Sequence, residues 1–351
     1  MPIEIPNDLQ ARLHALAQQT GEDGDAFVRR AIEARLALPA PQPDPIPIEA
    51  ACGDRPMLVN SELIQRIEDV IAAERSAFAD GMAALGPESG ASWLPVAGGR
   101  AIFTGADFFS NRALAMGLRG PVNHDDVERV ETFYAARGVP SEIEIASLVD
   151  RSLLRVLGQR GYHLVRFRNI YAQALHPLAA TGAAPAARSR AAEICTVDAS
   201  TAAAWSTTLL DGFGYTCDLD RGRVATWHGM VRSLPGMTAL VAVIDGQLVG
   251  AASVMILGST AVLGGAATLP AFRRRGVQRA LIEARLAVAT RAGCTLAIVT
   301  ADPGSSSGRN AERTGFQLIC NHVSMRAPAG HRPGTPRAGM AAHGLSAAEG
   351  V

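Results

Sequence analysis

The sequence contains no lysine: all 33 of its basic residues are arginine, balanced by 33 acidic residues. A formal charge of zero gives the molecule as a whole no electrostatic pull toward nucleic acid or a membrane surface. Cysteines number five (Cys52, Cys195, Cys217, Cys294 and Cys320), widely spread and without a C-x-x-C pair. The eight histidines show no zinc-ligand spacing, so no metal is expected. Cys294 and Cys320 sit in apolar, strand-like runs and read as buried free thiols. No apolar run reaches membrane-spanning length and the N-terminus carries no signal-peptide pattern, so a cytoplasmic protein is expected. What is present, 48% apolar and 19% charged residues over 351 positions, fits two or three soluble domains with sizeable cores.

The most informative stretch is 264–316. The run Val262-Leu263-Gly264-Gly265-Ala266-Ala267-Thr268-Leu269 reads as a strand, and Leu281, Ile282, Arg285, Leu286 and Ala289 recur at helical spacing up to Gly293. Between them lies Pro270-Ala271-Phe272-Arg273-Arg274-Arg275-Gly276-Val277-Gln278-Arg279. A turn of this kind aims free backbone N–H groups and the positive end of a helix dipole at one point, which suits a pyrophosphate. Gly276 allows close backbone approach, and Arg273, Arg274, Arg275 and Arg279 add permanent charge. Taken alone, the turn also reads as a basic helix start and nothing more. Residues 294–300 then read as a second buried strand, followed by a polar loop, a short helix and a Gly stop at Gly315-Phe316.

These segments resemble the GNAT acyltransferase family. Its signature Q/R-x-x-G-x-G/A is matched by Arg273, Gly276 and Gln278, with Gln in place of the usual small residue. The later Asn-x-x-Arg-x-Gly-Phe is matched by Asn310, Arg313, Gly315 and Phe316. The resemblance covers roughly 194–326. It implies an α/β (α+β) fold of mixed sheets with flanking helices, and acetyl-CoA as co-substrate. It assigns CoA binding to Thr268, Leu269, Arg274, Arg275, Gly276, Val277, Gln278, Arg279, Ala280, Asn310 and Arg313, with backbone N–H groups near Thr268 and Leu269 polarising the thioester. Many family members carry a Tyr as the acid for the leaving thiolate where this chain has Ala311, so Ser306, Ser307 or water must substitute. For a general base the sequence offers Asp211, Asp218, Asp220 and His228; His228 has the most useful ordinary pKa and Asp218 is the second candidate. Trp205, Tyr215 and Trp227 read either as acceptor-pocket walls or as core. An enzyme of this kind without lysine cannot acetylate its own lysine side chains.

The remaining chain divides by composition. Residues 1–37 have a strand–helix–helix pattern that resembles the ribbon-helix-helix fold, which implies a homodimer; Glu4 on the outward strand face disfavours DNA. Residues 38–56 form a Pro-rich linker, 179–192 a second linker, and 327–351 a tail expected to be disordered. Residues 57–178 repeat the element order of the 193–326 catalytic half. Strands are expected over 92–97, 100–105 and 111–118, the first two joined by a Gly98-Gly99 turn. Helices are expected over 58–82, 126–137 and 151–160, and strands over 142–145 and 162–167. At the corresponding turn, however, stands Pro121-Val122-Asn123-His124-Asp125-Asp126, whose carboxylates repel a pyrophosphate. This half therefore reads as a degenerate GNAT-like copy. The sequence as a whole implies a tandem N-acetyltransferase acting on a primary amine of a small molecule or peptide. Its rivals are a ribbon-helix-helix regulator or toxin–antitoxin-type fusion, and a non-catalytic acyl-CoA-binding module.

Overall fold

The computed structural model describes residues 57–106, 108, 110–176 and 192–330. The arm expected over 1–37, the Pro-rich segment, the 179–192 linker apart from Ala192, and the tail beyond 330 lie outside the described residues.

The first half opens with α1 (Ser61–Leu85). Asn60 caps it by accepting from the Leu63 N–H at 2.8 Å, and Ile64, Ile67, Ile71, Phe78 and Met82 form its buried stripe. An antiparallel meander follows: β1 (Ser92–Val96), β2 (Gly99–Phe103) and β3 (Arg112–Leu114). The β1–β2 turn is Ala97-Gly98, at φ 48° and 77°, one residue earlier than expected. Gly99 belongs to β2, where a Cβ would lie 2.2 Å from the Leu114 carbonyl oxygen. The third strand is shorter than the expected 111–118, because the chain turns away at Ala115, φ 59°. Then come α2 (His124–Ala135), β4 (Glu142–Ile145), α3 (Arg151–Gln159) and β5 (His163–Ala174).

The second half opens with β6 (Glu193–Thr196), α4 (Ala202–Phe213) and α5 (Asp218–Ser233), and from there repeats the order that follows α1: β7 (Met237–Ile244), β8 (Gln247–Leu257), β9 (Thr260–Thr268), α6 (Val277–Arg291), β10 (Leu296–Ala301), α7 (Ser306–Arg313) and β11 (Gln317–Arg326). The Asp245-Gly246 hairpin has φ 50° and 76°, the left-handed pair that a two-residue turn of matching twist requires.

All eleven described strands form one sheet in the order β1-β2-β3-β4-β11-β5-β10-β9-β8-β7-β6. The two halves have exchanged strands at its centre. The last strand of the second half, β11, pairs antiparallel with both β4 and β5, while β5 of the first half pairs antiparallel with both β11 and β10. Each half contains one parallel pair, β3 with β4 and β9 with β10. The sheet curls about α1: Ile64, Ile67 and Ile71 share a core with Ile102 of β2, Ile170 of β5, Val262 of β9 and Ile298 of β10. Each such side chain contributes about 1.5–3 kcal/mol on burial. Arg66 pins α1 to the start of β9 and β10 through Thr260 Oγ1 (3.1 Å), Ser259 O (3.0 Å) and Thr295 Oγ1 (2.8 Å).

One wholly buried ionic chain crosses the exchanged region. His322 of β11 bonds Glu68 of α1 at 2.5 Å and Glu144 of β4 at 3.0 Å, and Glu144 accepts from Arg112 of β3 at 3.2 Å. The two flanking carboxylates raise His322 well above its ordinary value despite burial, and Arg112 and His322 hold Glu144 well below its own. Cys320 lies beside Glu68 and His322, but both ring nitrogens of His322 are already engaged by carboxylates, which closes the cluster as a salt-bridge network.

Candidate active site

The site begins where two parallel strands part. β9 and β10 pair only through 260–262 and 296–298; beyond Val262, β9 keeps β8 as its neighbour and β10 keeps β5. One edge of β9 therefore opens into a wedge. The Leu269 N–H donates to Val249 O at 2.9 Å, so it faces β8 and is not the free donor expected at that position. The alternation of a strand then directs the N–H groups of Thr268 and Ala266 into the wedge.

The wedge runs into the arginine turn. Arg274 (φ 62°) and Gly276 (φ 80°) are both left-handed, and Gly276 is the N-cap of α6 with no side chain bonded across the helix end. The N–H groups of Val277, Gln278 and Arg279 are left for a ligand, together with the helix dipole. Ala280 is different: its N–H donates to Gly276 O at 3.0 Å and its side chain is buried in the core, so it has nothing to offer a cofactor. Arg273 braces the turn, reaching Gly212 O at 2.9 Å and Thr268 O at 3.3 Å, rather than reaching outward. Gln278, the departure from the small residue of the motif, donates to Thr268 Oγ1 at 2.9 Å and ties the helix start to the strand end. Arg275 lies over the Phe272 ring at 5.1 Å, and Arg279 pairs with Glu283 at 2.7 Å on the surface.

Wedge and turn are part of a cavity of about 1320 Å³. Of the residues singled out for CoA, Thr268, Arg274, Gly276, Val277, Gln278, Arg279, Asn310 and Arg313 line it; Leu269, Arg275 and Ala280 do not. Asn310 is in the body of α7, whose N-cap is Ser305, accepting from Gly308 N at 3.2 Å; no described residue bonds the Asn310 side chain. Ser306 and Ser307 reach the cavity from the exposed first turn of α7, while Ala311 is buried at 2% exposure. His228 reaches it from α5. Its Nδ1 lies 2.9 Å from Ser206 Oγ, and burial lowers its pKa to about 4, so the ring is neutral at physiological pH. Asp218 sits exposed in the first turn of α5, outside the cavity wall, where it offsets the helix dipole. Asp211 is paired with Arg221 at 2.8 Å and Asp220 with Arg223.

The wall also holds charged groups that the sequence did not single out for the site, among them Glu74 and Arg75 of α1, Arg168 of β5, and Arg285 of α6, which entered only as part of a helical pattern. Glu74 is 4% exposed, and burial raises its pKa against the pull of Arg75. Burial lowers Arg168 to about 10, with repulsion from Arg112 and Arg75 adding to the shift. Arg285, fully buried, donates to Leu281 O at 3.0 Å and Gly264 O at 3.1 Å, and burial lowers it to about 10. A clue to Glu74 was present: it lies three residues beyond Ile71, on the apolar stripe of its helix.

Residues 206–316, which span the wedge, the turn and α7, match the Acetyltransferase (GNAT) family. The chain carries a GNAT acetyltransferase domain. Its fold is shared with a GCN5-related N-acetyltransferase from Kribbella flavida, at 20% identity and a TM-score of 0.50 over 74% of this chain and 96% of that one. A tandem GNAT protein from the clavulanic acid biosynthesis pathway is similar at 16% identity and a TM-score of 0.47, over 67% and 80% of the two chains. An aminoglycoside N-acetyltransferase in complex with CoA is similar at 20% identity and a TM-score of 0.32, over 36% and 88%. No curated protein sequence matches the chain. Among the described residues, no helix is long and apolar enough to cross a membrane.

Proposed function

We propose that the protein is an acetyl-CoA-dependent N-acetyltransferase acting on the primary amine of a small molecule or peptide. The observation that carries this reading is the opened edge of β9 running into the uncapped, left-handed turn at Gly276. The pyrophosphate rests on the N–H groups of Val277, Gln278 and Arg279 with Arg274 beside it. The pantetheine lies along the wedge, between the N–H groups of Thr268 and Ala266 and the Asn310 side chain. Fixed dipoles at that edge polarise the thioester carbonyl, where they act more strongly than in water.

The acceptor arrives as an ammonium and first loses one proton to a base in the cavity wall. Its nitrogen then attacks the carbonyl carbon; the C–N bond forms and the C–S bond breaks. The second proton shed by nitrogen neutralises the departing thiolate, through Ser306, Ser307 or water. A thiol pKa of about 8.5 makes the thiolate a tolerable leaving group even when unassisted. The first half has a scaffold role: it supplies α1 and β5 to the cavity wall, and its own helix turn at Asn123 is closed to anions. The placement of Ala311, buried where many relatives have a Tyr, supports a second reading in which the site binds acyl-CoA without turnover.

Titration of acetyl-CoA by calorimetry, followed by thiol release with an amine panel, separates these readings. One site per chain with thiol release supports the transferase. One site without release from any amine supports the binding module. Absence of binding at near-millimolar ligand overturns both.

A further inference from the structure

The first half contributes more than a wall. Helix α1 brings Glu74 and Arg75 to the cavity, and β5 brings Arg168. The three groups are poorly matched to one another. Glu74 Oε2 is 3.7 Å from Arg75 Nε, a loose contact well beyond hydrogen-bond distance. Arg168 has no hydrogen-bonded carboxylate among the described residues, because the nearby Glu144 is committed to Arg112 and His322. Two guanidinium groups and one carboxylate thus line the same cavity; burial lowers Arg168, the Arg112 and Arg75 guanidinium groups add to the shift, and the already committed Glu144 only partly offsets it. Such a wall lacks one negative charge. It is built on elements of the first half, α1 and β5, whereas the proposed phosphate turn belongs to α6 of the second.

We infer that the acceptor is an amine that also carries a carboxylate, as in an amino acid, with its ammonium end at Glu74 and its carboxylate on Arg75 and Arg168. The inference rests on the transferase reading above and names its substrate class. A planar carboxylate suits guanidinium forks, which can bind it through paired hydrogen bonds. Glu74 is the one carboxylate of the three, and its raised pKa fits a group that accepts a proton from the ammonium before attack. The aromatic rings of Phe78 and Trp227, with centroids 5.0 Å apart, line the same cavity and give it an apolar surface for a side chain. Charge specificity of this type is strong, because an analogue without the carboxylate leaves two half-buried guanidinium groups without that partner.

The test compares free L-amino acids with their carboxamides as acceptors for the full-length protein, reading CoA thiol release, with acetyl-CoA affinity measured separately by calorimetry. The expected result is a kcat/KM at least about tenfold higher for the acids than for their amides. Arg168→Gln is expected to raise KM for the acids until the two classes are equal, while acetyl-CoA affinity is unchanged. Should Arg168→Gln fail to fold, as judged by circular dichroism, Arg75→Gln takes its place, and the acid–amide comparison in the unaltered protein decides alone. Amides that react as well as acids, or a variant that weakens both equally, overturn the inference while leaving the transferase intact. Failure to bind acetyl-CoA, or binding with no turnover of any amine, overturns the transferase reading and this inference with it.

Discussion

The two halves of the chain meet the same structural problem, a helix that begins beside a parallel strand pair, and solve it in opposite ways. At α2 the end is sealed. Asn123 Oδ1 accepts from the Asp126 N–H at 2.9 Å, and Asp126 Oδ2 accepts from the Asn123 N–H at 3.1 Å, a complete capping box with Asp125 alongside. At α6 the end is left open: Gly276 has no side chain to fold back, and its positive φ turns the chain so that successive N–H groups converge. The sealed turn contributes stability, and the open one leaves its donors without a cap from its own side chain. In the function proposed above, binding and stability fall to different copies of one motif.

The largest expected effect comes from breaking the joint between the halves. His322→Ala removes the centre of the buried chain from Glu68 to Arg112 and leaves two carboxylates facing one another; about 3–5 kcal/mol of stability should be lost in denaturant titration. Its pH dependence has a definite sign. The folded pKa of His322 lies above its ordinary 6.5, so its contribution is complete below about pH 6.5 and fades as pH rises through the folded value. The contribution of Glu144, depressed from its ordinary 4.5, is complete above that value and is lost as pH falls. The destabilisation by His322→Ala should therefore shrink at alkaline pH, and a pH-independent loss would show that the imidazole is not charged in the folded protein.

Next in size is Gly276→Asp, which gives the open turn the chemistry of the sealed one. A side chain at φ 80° is strained by about 1–2 kcal/mol, and the carboxylate competes for the N–H groups. Acetyl-CoA affinity should fall by about 10–100-fold in calorimetry; retained affinity would mean that the phosphates bind elsewhere. The reciprocal change, Asn123→Ala, should cost about 1 kcal/mol in thermal unfolding and leave acetyl-CoA affinity alone. A second acetyl-CoA site appearing in that variant would show that the cap was the one barrier between the halves. Smallest is Arg279→Gln: its exposed pair with Glu283 is worth only about 0.3–0.5 kcal/mol, so stability should hardly move, and any change in acetyl-CoA affinity reports on charge beside the phosphates.

How much of this was legible in the sequence follows from how local each signal is. The strand over 142–145 and the glycine at the start of α6 are written within a few residues, and the structure has them where the sequence puts them. Helix α5 carries no such local mark, because its segment mixes charged and apolar residues without a clean stripe. The exchange of β5 and β11 could not be read, since pairing between strands distant in sequence leaves no local mark. The same limit hid Glu74, Arg75 and Arg168. On a helix and a strand they look like solvated charges, and they become a cavity wall only because the sheet curls around α1. Within the predicted phosphate turn, residue types were informative but directions were not. Register and helix geometry decide that Leu269 and Ala280 point their N–H groups elsewhere, and packing decides that Arg273 turns inward.

The crossed central strands also set a schedule for synthesis. As the chain leaves the ribosome, β4 emerges early but has one neighbour missing, and that neighbour, β11, is the last made of the described strands. Until Arg326 is out, the first half must wait with an unpaired edge at its centre and with Glu144 lacking its histidine. A messenger broken shortly before that point would therefore yield no finished half at all, neither the sealed copy nor the open one.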